Sequence, residues 1–141
     1  MPINVRLDLA RRIRFTTASG VVTESDVIDG YGSVLTDPGY DPTLDQLFDG
    51  TGIQRVDVTA AVIKKAADLF AKADSGLPPG VRPRVAIVAP TDATFGLARM
   101  YQAYREVGDS PKQYLTCRTL EGGCLHAKQP YGRPCFPVFV K

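Results

Sequence analysis

Arg84-Val85-Ala86-Ile87-Val88-Ala89-Pro90 is the stretch on which the fold turns. Five apolar residues follow one another without alternation, which predicts a central strand covered on both faces, as in parallel sheets. Pro90-Thr91-Asp92 leads from it into a helix whose apolar residues include Phe95, Leu97, Ala98, Tyr101 and Tyr104, closed by Gly108. Upstream, a helix is expected from near Thr59, with a Val58–Ile63 staple and an inner stripe of Val62, Ile63, Ala66, Leu69 and Phe70. The Pro- and Gly-rich residues 75–80 form the loop between that helix and the strand. Gln113-Tyr114-Leu115-Thr116-Cys117 reads as a last strand.

The N-terminal third has a different period. Ile3, Val5, Leu7 and Leu9 alternate with Asn4, Arg6 and Asp8, and Ile13 and Phe15 alternate with Arg12 and Arg14. Such a period of two predicts an antiparallel hairpin. Keeping the apolar side chains together places Leu9 opposite Ile13, Leu7 opposite Phe15 and Asp8 opposite Arg14. Arg6, Arg11, Arg12 and Arg14 would then form its solvated face. Ser19-Gly20 is read as the end of the second strand, after which Thr23 caps a helix carrying Val27, Ile28, Tyr31, Val34 and Leu35. Residues 37–42 hold two prolines and a glycine and form a loop. Residues 44–49 read as a short strand ending in a Gly50-Thr51-Gly52 turn. The order β-β-α-β-α-β-α-β describes a single-domain α/β sandwich with a mixed β-sheet.

Composition excludes several classes. Apolar residues are 44% and charged residues 23% of 141, as in ordinary soluble domains. The net charge is +2, and residues 1–108 carry 12 basic against 13 acidic side chains, so nucleic acid is not an expected partner. No run of apolar residues is long enough for a membrane span, and no signal-peptide pattern opens the chain. Three cysteines without an export signal point to free thiols in the cytoplasm. All three, Cys117, Cys124 and Cys135, lie in the last 33 residues with the one histidine, His126. Their spacing is unlike that of structural zinc sites, so no metal and no cofactor are expected.

The landmarks Leu35-Thr36-Asp37-Pro38, Leu47-Phe48-Asp49, Val58-Thr59-Ala60-Ala61, the residue 84–90 strand and Phe95-Gly96-Leu97-Ala98-Arg99-Met100-Tyr101 come in an order that resembles the bacterial SpoIIAA-like proteins. That family is related in fold to STAS and CRAL-TRIO domains. The resemblance covers about residues 4–121 and implies a STAS-like domain over residues 1–128. Beyond it the chain departs from the family: Gly122-Gly123 interrupts the expected closing helix, and there is no tryptophan. Residues 129–141 hold three prolines and the apolar end Phe136-Pro137-Val138-Phe139-Val140, read as an arm that covers a sheet edge or a partner in a homodimer.

No catalytic constellation stands out, so a non-enzymatic module is expected. The resemblance to STAS proteins points to Asp57 and Thr59 as a phosphorylation switch that recruits a protein partner. A phosphate at Thr59 would meet free N–H groups at a helix start, although Thr59 is equally an ordinary N-cap. Asp49-Gly50-Thr51-Gly52 has the local form of a phosphoryl-aspartate motif, though without the carboxylates and lysine such enzymes need. The alternative is a carrier of a small apolar ligand or lipid in a cavity between helices and sheet. Phe48, Phe70, Phe95, Met100, Tyr101 and Tyr104 are the candidates to line it, or else they fill a packed core.

Overall fold

In the computed structural model, residues 3–119 are described. They form β1 (Ile3–Asp8), β2 (Ile13–Thr23), α1 (Glu24–Thr36), β3 (Asp45–Asp57), α2 (Ala60–Asp74), β4 (Arg84–Val88), α3 (Asp92–Val107) and β5 (Gln113–Cys117). The element order expected from the sequence is the order observed. The arm at residues 129–141, Cys124, His126, Cys135 and the Gly122-Gly123 break lie outside the described residues.

The five strands make one mixed sheet in the order β1-β2-β3-β4-β5. Only the β1–β2 pair is antiparallel; β2 through β5 run parallel. The connections between successive parallel neighbours put all three helices on one face, where α2 packs between α1 and α3. Ala18, Val22, Val27 and Ala66 form the core under these helices. The opposite face carries a separate cluster of Ile13, Leu47, Ala86, Val88 and Cys117, with Phe15 and Leu115 against it. β4 therefore meets apolar partners on both sides, as its unbroken run of apolar residues requires.

Local chemistry sets the helix starts. Thr23 caps α1 in a capping box: its N–H donates to Asp26 Oδ2 at 2.9 Å, and the Asp26 N–H donates back to Thr23 Oγ1 at 3.3 Å. The Thr23 N–H bond, joined by one from the Thr23 hydroxyl to Asp26 Oδ2 at 2.8 Å, holds the Asp26 carboxyl below its ordinary value. Thr91 and Thr94 form the equivalent box on α3, and Gly108 closes that helix.

Three expectations are corrected. First, the hairpin register differs by one residue: Leu7 opposes Arg14, Asp8 opposes Ile13 and Arg6 opposes Phe15. Ile3, Val5 and Leu7 thus share the helix-side face with Arg14, Thr16 and Ala18. Ile13 and Phe15 turn to the other face with Arg6, which lies 4.4 Å from the Phe15 ring centre. Alternation cannot choose between two faces that are both buried. Four residues, 9–12, make the connection, with Arg12 in the left-handed region at φ 57°. Second, Arg14 is therefore not solvated but 4% exposed.

Third, neither Ser19-Gly20 nor Gly50-Thr51-Gly52 is a turn. β2 and β3 run on for 11 and 13 residues and pair past both glycine sites, with register shifts at Thr17/Ser19 and Gly20/Val21. Gly20 sits at φ 70° in this irregular stretch. A Cβ on Gly50 would come 2.8 Å from the Val88 carbonyl oxygen. These glycines serve a bulge and a close backbone approach, the other meanings of glycine in a strand.

Candidate functional site

The helices do not fill the space above the sheet. A cavity of about 130 Å³ lies between them and the parallel strands. Its walls combine Val27 and Tyr31 of α1, Ala66 and Phe70 of α2, Leu97, Ala98 and Tyr101 of α3, and Phe48, Ile53 and Ile87 from the sheet. Of the six aromatic and sulfur-containing candidates, Phe48, Phe70 and Tyr101 line it. The other three do not. Phe95 lies beneath the Arg118 guanidinium, 4.4 Å from its ring centre, while Arg118 also pairs with Asp92 at 2.8 Å. Met100 lies elsewhere on α3, and Tyr104 is 37% exposed. The ring of Phe70 meets Tyr31 edge-on, with centres 5.0 Å apart, and burial pushes the Tyr31 phenol up to about 12.

The wall is mostly apolar, with Arg14, Gln46, Thr16 and Thr94 among its polar side chains. Arg14 of β2 and Gln46 of β3 are register partners on the helix-side face, and both line the cavity. Arg14 Nε and Gln46 Nε2 are buried without a hydrogen-bond partner among the described residues. The Arg14 guanidinium lies 4.9 Å from the Tyr40 ring centre and 5.8 Å from that of Phe70. Arg14 also lines a second depression of about 350 Å³ between β1 and α1, bounded by Asn4, Leu7, Ser33 and Tyr40.

Beside this wall lies a buried ionic cluster. Asp74, the last residue of α2, pairs with Arg105 of α3 and with Lys112, whose Nζ is 3.0 Å from Asp74 Oδ1. Arg105 further donates through Nε to the Tyr114 hydroxyl at 2.7 Å, through Nη1 to the Ala67 carbonyl at 3.3 Å and through Nη2 to Ser110 Oγ at 3.1 Å. Burial pushes the Lys112 ammonium down to about 8, against the pull of Asp74. An unfolded lysine keeps its proton to about 10.4, so between these values the unfolded chain binds more protons and stability rises with pH. Above about pH 10 the tyrosines reverse the slope, because unfolded phenols ionise while Tyr31 holds its proton to about 12. Urea midpoints across pH 7–11 should therefore peak near pH 9–10, and in Lys112→Met the rise above pH 8 should vanish.

The switch candidates lie apart from the cavity. Thr59 is the N-cap of α2, but its hydroxyl makes no cap bond, and its N–H donates to Glu24 Oε1 at 3.1 Å. Asp57 accepts from Arg55 Nε at 3.1 Å and Nη2 at 2.9 Å on the surface. Asp49 Oδ1 accepts from the Thr51 N–H at 3.0 Å and hydroxyl at 2.7 Å, a local turn-like bond within β3. No group of three or more metal-ligating side chains occurs among the described residues, and no described helix is long and apolar enough to cross a membrane.

Arg14, Gln46, Asp74, Arg105 and Lys112 were not anticipated. Part of the signal was present: Asp74 follows Phe70 by four residues and Arg105 follows Tyr101 by four, continuing each buried helical stripe. No family model matches the chain, and neither a curated protein nor a solved structure does.

Proposed function

We propose that this protein is a binding module for a small apolar molecule, held between the helices and the sheet. The observation that carries the reading is the cavity itself, lined by Phe48, Phe70 and Tyr101 and by residues of all three helices. Native interiors are normally packed to crystal-like density, so an unfilled apolar space in the middle of the fold is a feature to be explained. Its size is close to that of an engineered apolar cavity of about 150 Å³ that stays dry and takes up benzene. The ligand is therefore of the size of one substituted ring or a short branched chain. The resemblance to proteins related to CRAL-TRIO domains agrees with such a carrier.

A phosphorylation switch at Thr59 finds less support. The helix start that would receive a phosphate already holds the Glu24 carboxylate against the Thr59 N–H, and a second anion there meets like charge.

Toluene provides the test. At 100 times its dissociation constant it should stabilise the native protein by about 2.7 kcal/mol, read as a rise in melting temperature. Ala98→Phe, which puts a ring into the cavity wall, should lose that response. A wild-type protein indifferent to toluene contradicts the proposal.

A further inference from the structure

We propose that the ligand is a monocarboxylic acid, its apolar body in the cavity and its carboxylate received by Arg14 and Gln46. The inference rests on the binding reading above and adds the chemical class of the ligand. Among the described residues, Arg14, Arg105 and Lys112 are buried cations and Asp74 is the one buried carboxylate. Asp74 is taken by Arg105 and Lys112. Arg14 thus stands 4% exposed with no acidic partner among the described residues, and a guanidinium cannot shed its proton to escape the cost of burial.

The surroundings fit an anion at this point. Tyr40 and Phe70 flank the guanidinium and fix its position. Arg14 and Gln46 are register partners on adjacent strands, both line the cavity, and Arg14 Nε and Gln46 Nε2 lack an acceptor among the described residues. Two such donors match the two oxygens of a carboxylate, and the bond from the charged guanidinium is of the stronger, charge-assisted kind. Most of the remaining lining is apolar, which suits a hydrocarbon body; its other polar atoms are the hydroxyls of Thr16, Thr94, Tyr31 and Tyr101. Asp37 and Asp41 line the depression on the outer side of Arg14, so a dianionic head would meet like charge there. One carboxylate is the charge the site accommodates.

Isothermal titration of the full chain at pH 7 with benzoate, benzamide and toluene tests this. A hydrogen-bonded charge contributes about 1.5–3 kcal/mol, so benzoate should bind about 10- to 100-fold more tightly than benzamide. Arg14→Met should abolish that preference while toluene affinity stays within about threefold; replacing a buried cation by an apolar side chain of similar length leaves the fold intact. Gln46→Leu should weaken benzoate by a smaller factor. Toluene uptake without a benzoate preference, or a preference that survives Arg14→Met, overturns the carboxylate assignment alone. Failure of toluene and benzoate together overturns the binding reading with it. The wild-type comparison of benzoate and benzamide decides the matter even where a variant folds poorly.

Discussion

Asp74→Asn should destabilise the protein by about 3–5 kcal/mol, the usual loss when one partner of a buried ion pair is removed. The substitution keeps the size of the side chain but withdraws the charge that faces both Arg105 and Lys112. Lys112, already pushed down to about 8, can respond by releasing its proton. Arg105 has no such route, because its guanidinium stays charged at any pH the fold survives. Its bonds to Tyr114, Ala67 and Ser110 remain, but the positive charge is left in a site 2% exposed. For a domain of this size the loss corresponds to a fall in melting temperature on the order of 10 °C or more. Replacing all three residues with apolar ones, Asp74→Leu with Arg105→Met and Lys112→Met, should recover most of it, since desolvation of the charges disappears with them. Chemical denaturation of the single and triple variants separates these outcomes. A triple variant no more stable than Asp74→Asn would show that the cluster is not electrostatic in its effect.

Phe70→Ala carries a comparable expectation, also about 3–5 kcal/mol, for a different reason. The ring is 4% exposed, meets Tyr31 edge-on and forms part of the cavity wall. Removing it deletes buried apolar surface and enlarges a space that is already unfilled, so the neighbours have little to collapse onto. Two consequences distinguish this from simple loss of core. Added toluene should restore part of the stability, because it binds the native state alone. Phe95→Ala, outside the cavity lining and stacked under Arg118, should cost far less, on the scale of about 0.5–1 kcal/mol for an exposed cation–π contact beyond its modest burial. Equal losses at Phe70 and Phe95 would remove the distinction between wall and surface.

The architecture was legible where one physical signal dominated. The unbroken run at residues 84–89 fixed the buried strand, Thr23 and Gly108 marked helix ends, and the 3.6-residue stripes located α1, α2 and α3. It was illegible where two buried faces made alternation ambiguous. Arg14 occupies an alternating position that reads as wet in isolation; only the pairing Leu7–Arg14–Gln46 places it under the helices. Glycine misled for a related reason. Gly20 and Gly50 look like strand ends, but the need they meet is a bulge in β2 and the approach of the Val88 carbonyl. For the site, three of the six aromatic and methionine candidates lay on the cavity and three did not, because the helical stripe that holds Phe95, Tyr101 and Tyr104 is broader than the face that meets the sheet. The ionic cluster joins residues 31 and 38 positions apart, and no local pattern reports such a pairing.

The central claim is that the space between helices and sheet is a binding site and not a packing fault. Native mass spectrometry of the freshly isolated protein addresses it most directly, under conditions gentle enough to keep weakly held molecules. A fraction of the protein should carry one extra small molecule, released on unfolding and identified as an apolar monocarboxylic acid, and absent from Ala98→Phe. Protein that is empty as isolated, and stays empty after exposure to a cell extract rich in such acids, would contradict it.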